Sequence, residues 1–181
     1  MGTLTNLLFF FIIAASKELS KKLDKPNLMT LLSGALVSSG LILRCVNMSI
    51  LLKINHSKKI LFGVISNFVG LTFFYFSFFN DNFLLAFIGS IFVGFGKGMG
   101  QVTLMGYLKA FNPLSLGYFS SGVGFSGIFG SSLFIIFNSL GVEEKYYFGV
   151  FYPIYLIYYF LFRNLIKLTD THKIEANINK D

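Results

Sequence analysis

The chain has 181 residues, of which 54% are hydrophobic and 13% are charged. The charged share is about half of that in an average soluble domain, so the composition excludes an ordinary soluble protein. The formal net charge of +7 is carried mostly by residues between apolar stretches, as in membrane-flanking loops, which argues against a nucleic-acid-binding protein. The one cysteine, Cys45, rules out an intrachain disulfide and a cysteine-rich metal site.

Six apolar segments follow one another along the chain, separated by short polar connections. All but the first reach the roughly 20 residues that a helix needs to cross a bilayer. Because backbone groups in lipid have no water to bond, continuous apolar runs of this kind predict helices. The segments are Leu4–Ala15, Leu28–Leu52, Ile60–Phe79, Phe83–Leu108, Tyr118–Leu140 and Tyr146–Ile166. We therefore predict an all-α integral membrane six-helix bundle over residues 1–166, with a polar C-terminal tail over residues 167–181.

The first and last segments depart from a plain membrane helix. Leu4–Ala15 is interpreted as a truncated first membrane helix rather than a cleaved signal peptide, because no basic side chain precedes it. Pro153 lies inside the sixth segment, where a proline is expected to kink the helix. The tail has mixed charge and no clear periodicity, so we expect it to fray.

The distribution of basic residues favours a cytosolic amino terminus, since more lysines and arginines then lie in cytosolic connections than in the others. The glycosylation sequon Asn55-His56-Ser57 offers a test of this orientation. A glycan on Asn55 would place that connection in the lumen and reverse the topology.

Lys97 lies near the middle of the fourth segment, where a lysine costs about 3 kcal/mol on membrane-insertion scales. Ser90, Gly94, Lys97 and Gln101 are spaced so that they share one helix face. Lipid cannot solvate such a face, so it needs protein or a hydrated cavity beside it. We predict a solute path in which Lys97 attracts an anionic group and Gln101 orients it by hydrogen bonds. The alternative is a paired lysine with a structural role.

Small and polar residues also line the second and fifth segments. On the fifth segment, a serine–glycine face either borders the solute path or packs closely against the fourth segment. The face consists of Ser120, Gly124, Gly127 and Ser131 and is flanked by Gly122 and Gly130. Arg44 either lines the same cavity or reaches the cytosolic interface. The GxxxG pair Gly96–Gly100 predicts the close approach of a neighbouring helix.

Motifs of enzymes and of cofactor sites are missing from the sequence. It contains no GxSxG, no HExxH and no P-loop, and its membrane segments hold no pair of carboxylates suited to acid–base catalysis. His56 and His172 each lie in polar stretches without the neighbours that a metal would need. We predict that the chain is not an enzyme and that it binds no metal and no cofactor.

Two glycine-rich runs of the fourth and fifth segments read GKGMGQVTLMGYLKAFNP and YFSSGVGFSGIFGSSLF. These runs resemble the battenin family of lysosomal and vacuolar membrane proteins, whose members have GLGEVTFLSL, a loop ending in Tyr-Pro, and WSSGTGGAGLLGA. The similarity extends over roughly residues 6–166 and corresponds to the amino-terminal half of a full member. The matching residues are Gly98, Gly100, Val102, Thr103, Pro113, Ser120, Ser121, Gly122, Gly124, Gly127 and Gly130.

The resemblance implies a fold like one half of a major facilitator superfamily transporter, in a lysosomal or vacuolar membrane. It also implies a link to organelle pH balance, to transport of basic amino acids such as arginine, and to export of glycerophosphodiesters. The chain departs from the family in two ways. The acidic residue that follows the family's glycines is Gln101 here, which puts proton coupling and cation binding in question. The second half of a full member is missing.

From the residues and the resemblance together, we predict a battenin-like transporter or half-transporter that moves a small polar solute and is linked to organelle pH homeostasis. Its expected partners are the lipid bilayer, the solute, and either a second copy or other membrane helices, but no nucleic acid. The alternatives are a non-transporting scaffold or regulator of vacuolar or lysosomal trafficking, and a truncated inactive product. The candidate substrate-binding residues are Lys97, Gln101, Ser120, Ser121, Gly124 and Arg44.

Overall fold

The structure is a computed structural model that describes residues 1–24, 27–49, 56–108 and 113–178. Throughout these ranges the regular structure is helical, which confirms the prediction of an all-α protein. The helices are α1 (Gly2–Lys22), α2 (Asn27–Ser49), α3 (His56–Asn80), α4 (Phe83–Leu108), α5 (Pro113–Ser139), the short α6 (Glu144–Tyr147), a 3-10 turn (Phe148–Val150) and α7 (Phe151–Ile178).

Five helices in the described ranges are long and apolar enough to cross a membrane. The first of them contradicts the sequence prediction, because α1 has 21 residues where Leu4–Ala15 alone was expected to be too short. Its last turns carry Lys17, Lys21 and Lys22, whose charges end the apolar run but do not end the helix. The five are Gly2–Lys22, Asn27–Val46, Ser57–Asn80, Phe83–Leu108 and Leu114–Ser139.

The sixth predicted segment is interrupted by a short 3-10 turn just before Pro153. Its first residues form α6 and the 3-10 turn Phe148–Val150, and α7 begins at Phe151. Pro153 therefore lies in the first turn of α7, where its missing N–H breaks no intrahelical bond. The helix then continues to Ile178, and the expected fraying of the tail stays a prediction. Residues 179–181 and Asn55 of the sequon lie outside the described ranges.

Helix α4 lies between α2 and α3, and glycines bring the three backbones together. A Cβ on Gly98 would lie 2.8 Å from the carbonyl oxygen of Gly40 on α2. On the other side of α4, a Cβ on Gly63 of α3 would lie 3.2 Å from the carbonyl oxygen of Gly96 and 3.7 Å from the nitrogen of Gly100. The close approach predicted from the Gly96–Gly100 pair is thus confirmed, with α3 as the neighbour.

Helix α5 packs mainly on α1, so the expected packing of its serine–glycine face against the fourth segment is wrong. A Cβ on Gly122 would lie 3.1 Å from the nitrogen of Thr3, and one on Gly130 would lie 3.0 Å from the carbonyl oxygen of Leu7. Small residues allow close approach to any helix, and α1 is the helix that stands beside α5.

An aromatic cluster joins α1 to the carboxy-terminal part of the bundle. The ring of Phe11 lies 4.5 Å from that of Phe151 and 5.9 Å from that of Phe148, measured between centroids. It also meets Phe134 of α5 edge-on at 5.6 Å. Edge-to-face pairs of this kind add about 0.5–1.5 kcal/mol each beyond the burial of their area. The cluster fixes α1 at the centre of the bundle, between α4 and α5.

The turns after α1 and α3 meet at one end of the bundle. Lys22 at the end of α1 forms an ion pair with Asp81 in the α3–α4 turn, with 2.6 Å between Nζ and Oδ1. The same ammonium donates a hydrogen bond to the carbonyl oxygen of Phe78 at 3.4 Å. Helices α1 and α3 therefore run in the same direction and end on the same side.

Candidate functional site

A cavity of about 100 Å³ lies between α1, α2 and α4. Lys97 enters it from α4, and Arg44 enters it from α2. Apolar side chains and one glycine form the remaining wall, namely Phe9, Leu36, Val37, Gly40 and Leu41. The close packing of Gly98 on Gly40 brings α2 near enough to α4 for the two cations to share this space.

Arg44 and Gln101 are directly bonded across the α2–α4 contact. Nη2 of the guanidinium donates a hydrogen bond to Oε1 of Gln101, and this bond joins two of the residues singled out in the sequence. Nε of Arg44 is buried and donates to no group within the described residues. Arg44 thus has the first of its two expected placements, inside the cavity, and it retains a donor for a further acceptor.

The ammonium of Lys97 lies against an aromatic ring. Its Nζ is 2.9 Å from the centroid of Phe9 and 5.8 Å from that of Phe10. A cation over a ring face is attracted by the ring quadrupole, most strongly where water is excluded. Phe9 is a site residue that the sequence reasoning missed, since nothing in the sequence distinguishes it among 24 phenylalanines.

Acidic side chains are absent from this part of the chain. The sequence has no Asp or Glu between Asp24 and Asp81, or between Asp81 and Glu143. The ion pairs found among the described residues, Lys21–Glu18 and Lys22–Asp81, lie at the helix ends. Among the described residues, the cavity is therefore lined by two cations and no carboxylate, so its field favours an anion.

The candidates on α5 lie apart from this cavity. Ser120, Ser121 and Gly124 are exposed on α5, and α1 stands between that helix and α4. The hydroxyl of Ser121 donates to the carbonyl oxygen of Gly117 at 3.1 Å, and a Cβ on Gly124 would meet nothing within 4 Å. The structure brings together Lys97, Gln101 and Arg44, and it leaves the three α5 residues on a separate surface. A role in binding solute stays a prediction for all six.

Comparison with known proteins places the chain in a family. The family model described as CLN3 protein matches residues 1–181, the whole chain. The chain belongs to the CLN3 protein family. The chain is similar to Battenin of Dictyostelium discoideum, to which it is 28% identical over 163 residues. The resemblance drawn from the two glycine-rich runs is confirmed at the level of the family.

The match with Battenin covers nearly all of this chain but less than half of the Dictyostelium protein. It covers 90% of this CLN3 chain but 38% of the Dictyostelium protein, so the chain spans about two fifths of the length of that curated relative. No solved structure matches the chain. The family match and the apolar helices together show that the chain is a multi-pass membrane protein of the CLN3 family. Its expected correspondence to an amino-terminal half stays a prediction.

Proposed function

We propose that the chain is a battenin-like transporter or half-transporter of a lysosomal or vacuolar membrane, and that it binds the anionic group of a small polar solute between α1, α2 and α4. The observation that carries the proposal is the convergence of Lys97 and Arg44 on one cavity with no carboxylate among the described residues that line it. Each of these charges is costly at membrane depth, by about 3 kcal/mol on insertion scales. An anion that enters with the solute offsets this cost.

The two cations and the amide have different tasks in this proposal. Lys97 supplies a compact point charge, and the guanidinium of Arg44 supplies several donors in a fixed plane. Gln101 accepts from one of these donors and so fixes the plane, which leaves the buried Nε–H as a donor for the solute. A cavity of about 100 Å³ holds the charged group of a solute rather than all of it.

Charge distinguishes the two expected solute classes. A glycerophosphodiester carries one anionic phosphodiester and suits the paired cations. Arginine also carries a carboxylate, but its guanidinium would be repelled by Lys97 and Arg44, at about 4 kcal/mol per pair for charges 4 Å apart at a surface-like dielectric. We therefore propose the phosphodiester as the preferred class. The location and the link to organelle pH are supported by membership of the CLN3 family alone.

A membrane scaffold or regulator is the second candidate function, and the exposure of two helices favours it. The membrane windows of α2 and α5 are each 22% buried, against 50% or more for the other three. Their outer faces suit lipid or further membrane helices, either from a second copy or from another protein.

Uptake by proteoliposomes tests the transporter against the scaffold. The full chain is reconstituted, and uptake of labelled glycerophosphoglycerol, a phosphodiester without a cationic group, is compared with uptake of labelled arginine. We expect saturable phosphodiester uptake that Lys97→Gln abolishes and that Lys21→Gln leaves intact, because Lys21 lies on the exposed end of α1. Uptake that Lys97→Gln does not reduce would contradict the proposed site. If the wild-type protein neither binds nor transports the solute yet crosslinks to other membrane proteins, the scaffold is favoured.

A further inference from the structure

Phe9 contacts the ammonium of Lys97, although no pattern in the sequence had singled it out. Its ring lies under Nζ of Lys97 at 2.9 Å, and it is held edge-on to Phe10, with centroids 5.1 Å apart and ring planes at 88°. The ring is 8% exposed, so the contact is largely shielded from water. Phe9 also forms part of the cavity wall.

We propose that Phe9 is the positioning residue of Lys97: its ring face holds the ammonium by a cation–π contact and turns the remaining N–H groups towards the anion of the solute. This inference rests on the proposed function and adds a residue to the same site. A lysine has four rotatable side-chain bonds, and fixing such a chain on binding costs about 0.5–1.5 kcal/mol. A ring that holds the ammonium before the solute arrives removes much of that cost.

The surroundings of the ammonium support this role over simple packing. Arg44 shares the cavity and repels Lys97, so charge alone would drive the flexible lysine away from the place where both cations can meet one anion. The ring of Phe9 attracts the ammonium without a carboxylate, so the positive charge stays available to the anion of the solute. A leucine at position 9 would fill the wall but would offer no negative face.

The first test measures the contact without any solute. Thermal unfolding of the full chain in nanodiscs is measured for wild type, Phe9→Leu, Lys97→Met and the double variant. We expect a coupling between the two positions, so that Phe9→Leu costs more stability when the lysine is present. Additive effects would overturn the inference, whatever the solute experiments give.

The second test measures binding with dimethyl phosphate, a minimal phosphodiester, as the probe. We expect Phe9→Leu to weaken binding about 2- to 10-fold, the equivalent of the ordering cost of one long side chain. Phe9→Trp, which keeps a strong π face, should bind within about 2-fold of wild type. Equal loss in both variants would show that only the shape of the phenylalanine matters, and it would overturn the inference.

Fluorinated phenylalanines separate the π face from folding, because fluorine removes electron density from the ring at nearly constant size. Binding should weaken stepwise as fluorines are added at position 9, and the same series at Phe10, 5.8 Å from the ammonium, should have little effect. Wild-type binding that is insensitive to the series overturns the role of Phe9 and leaves the proposed anion site standing. Absence of wild-type binding, with coupling still present in the unfolding cycle, instead refutes the proposed function and confines the contact to structure.

Discussion

A methyl group added to Gly98 should separate α2 from α4 and thereby move Arg44 away from Lys97 in the shared cavity. A Cβ at this position would lie 2.8 Å from the carbonyl oxygen of Gly40 and 3.3 Å from its Cα, and both are backbone atoms that no rotamer change can move. An ordinary contact begins near 3.4 Å, so α2 must shift as a body. Arg44 lies one turn beyond Gly40 and moves with it, away from Gln101.

The cost can be isolated with a matched control on the neighbouring helix. Overpacking of this kind typically costs about 1–3 kcal/mol. Gly34→Ala gains the same helix propensity as Gly98→Ala, about 0.5–1 kcal/mol, and its Cβ would meet nothing within 4 Å. The difference between the two variants is therefore the clash alone, which amounts to about 2–12 °C in the midpoint of thermal unfolding for a chain of this size. Thermal unfolding in nanodiscs, followed by dimethyl phosphate binding, measures both effects. Equal stability and equal binding in the two variants would refute the packing argument.

Two further predictions concern the charged groups. Arg44→Lys keeps the charge of the cavity but removes the planar donor set, so phosphodiester binding measured by calorimetry should weaken about 10-fold or more through loss of the bond to Gln101; unchanged affinity would mean that charge alone attracts the solute. The Lys22–Asp81 pair is about half exposed. A double-mutant cycle with Lys22→Met and Asp81→Asn should therefore give a coupling energy of about 0.2–1 kcal/mol in thermal unfolding. A value several times larger would show that this contact holds the bundle end together.

The sequence was sufficient to predict helices and several of their contacts because membrane depth imposes strong rules on each residue. Apolar runs must be helical, and Lys97 must face protein, whatever the rest of the fold does. The spacing of Lys97 and Gln101 placed them on one face of α4 in advance. The contact of Arg44 with Gln101 joins helices far apart in sequence, and spacing within one helix carries no information about it.

Other features could not be predicted, because they depend on which helices become neighbours. The glycines of α5 indicated close packing but did not identify α1 as the partner, since any backbone can approach a glycine. The length of α1 was underestimated because its polar last turns do not resemble a membrane span. The proline at position 153 indicated a kink but not the change from α6 through a 3-10 turn that comes just before it.

The glycines of α4 explain how two half-buried cations come together where α2 meets α4. Gly94 and Gly98 lie one turn apart and face α2, where a Cβ on Gly94 would overlap Ser39 and the carbonyl of Leu36. Gly96 and Gly100 face other neighbours, since a Cβ on Gly96 would overlap Asn67 of α3, and one on Gly100 would lie 3.1 Å from the hydroxyl of Tyr158 on α7. With small residues on opposite sides, α4 is enclosed by other helices along the turn that carries Lys97. The glycine run and the lysine are therefore parts of one arrangement, in which backbone contact encloses a charge that lipid could not solvate.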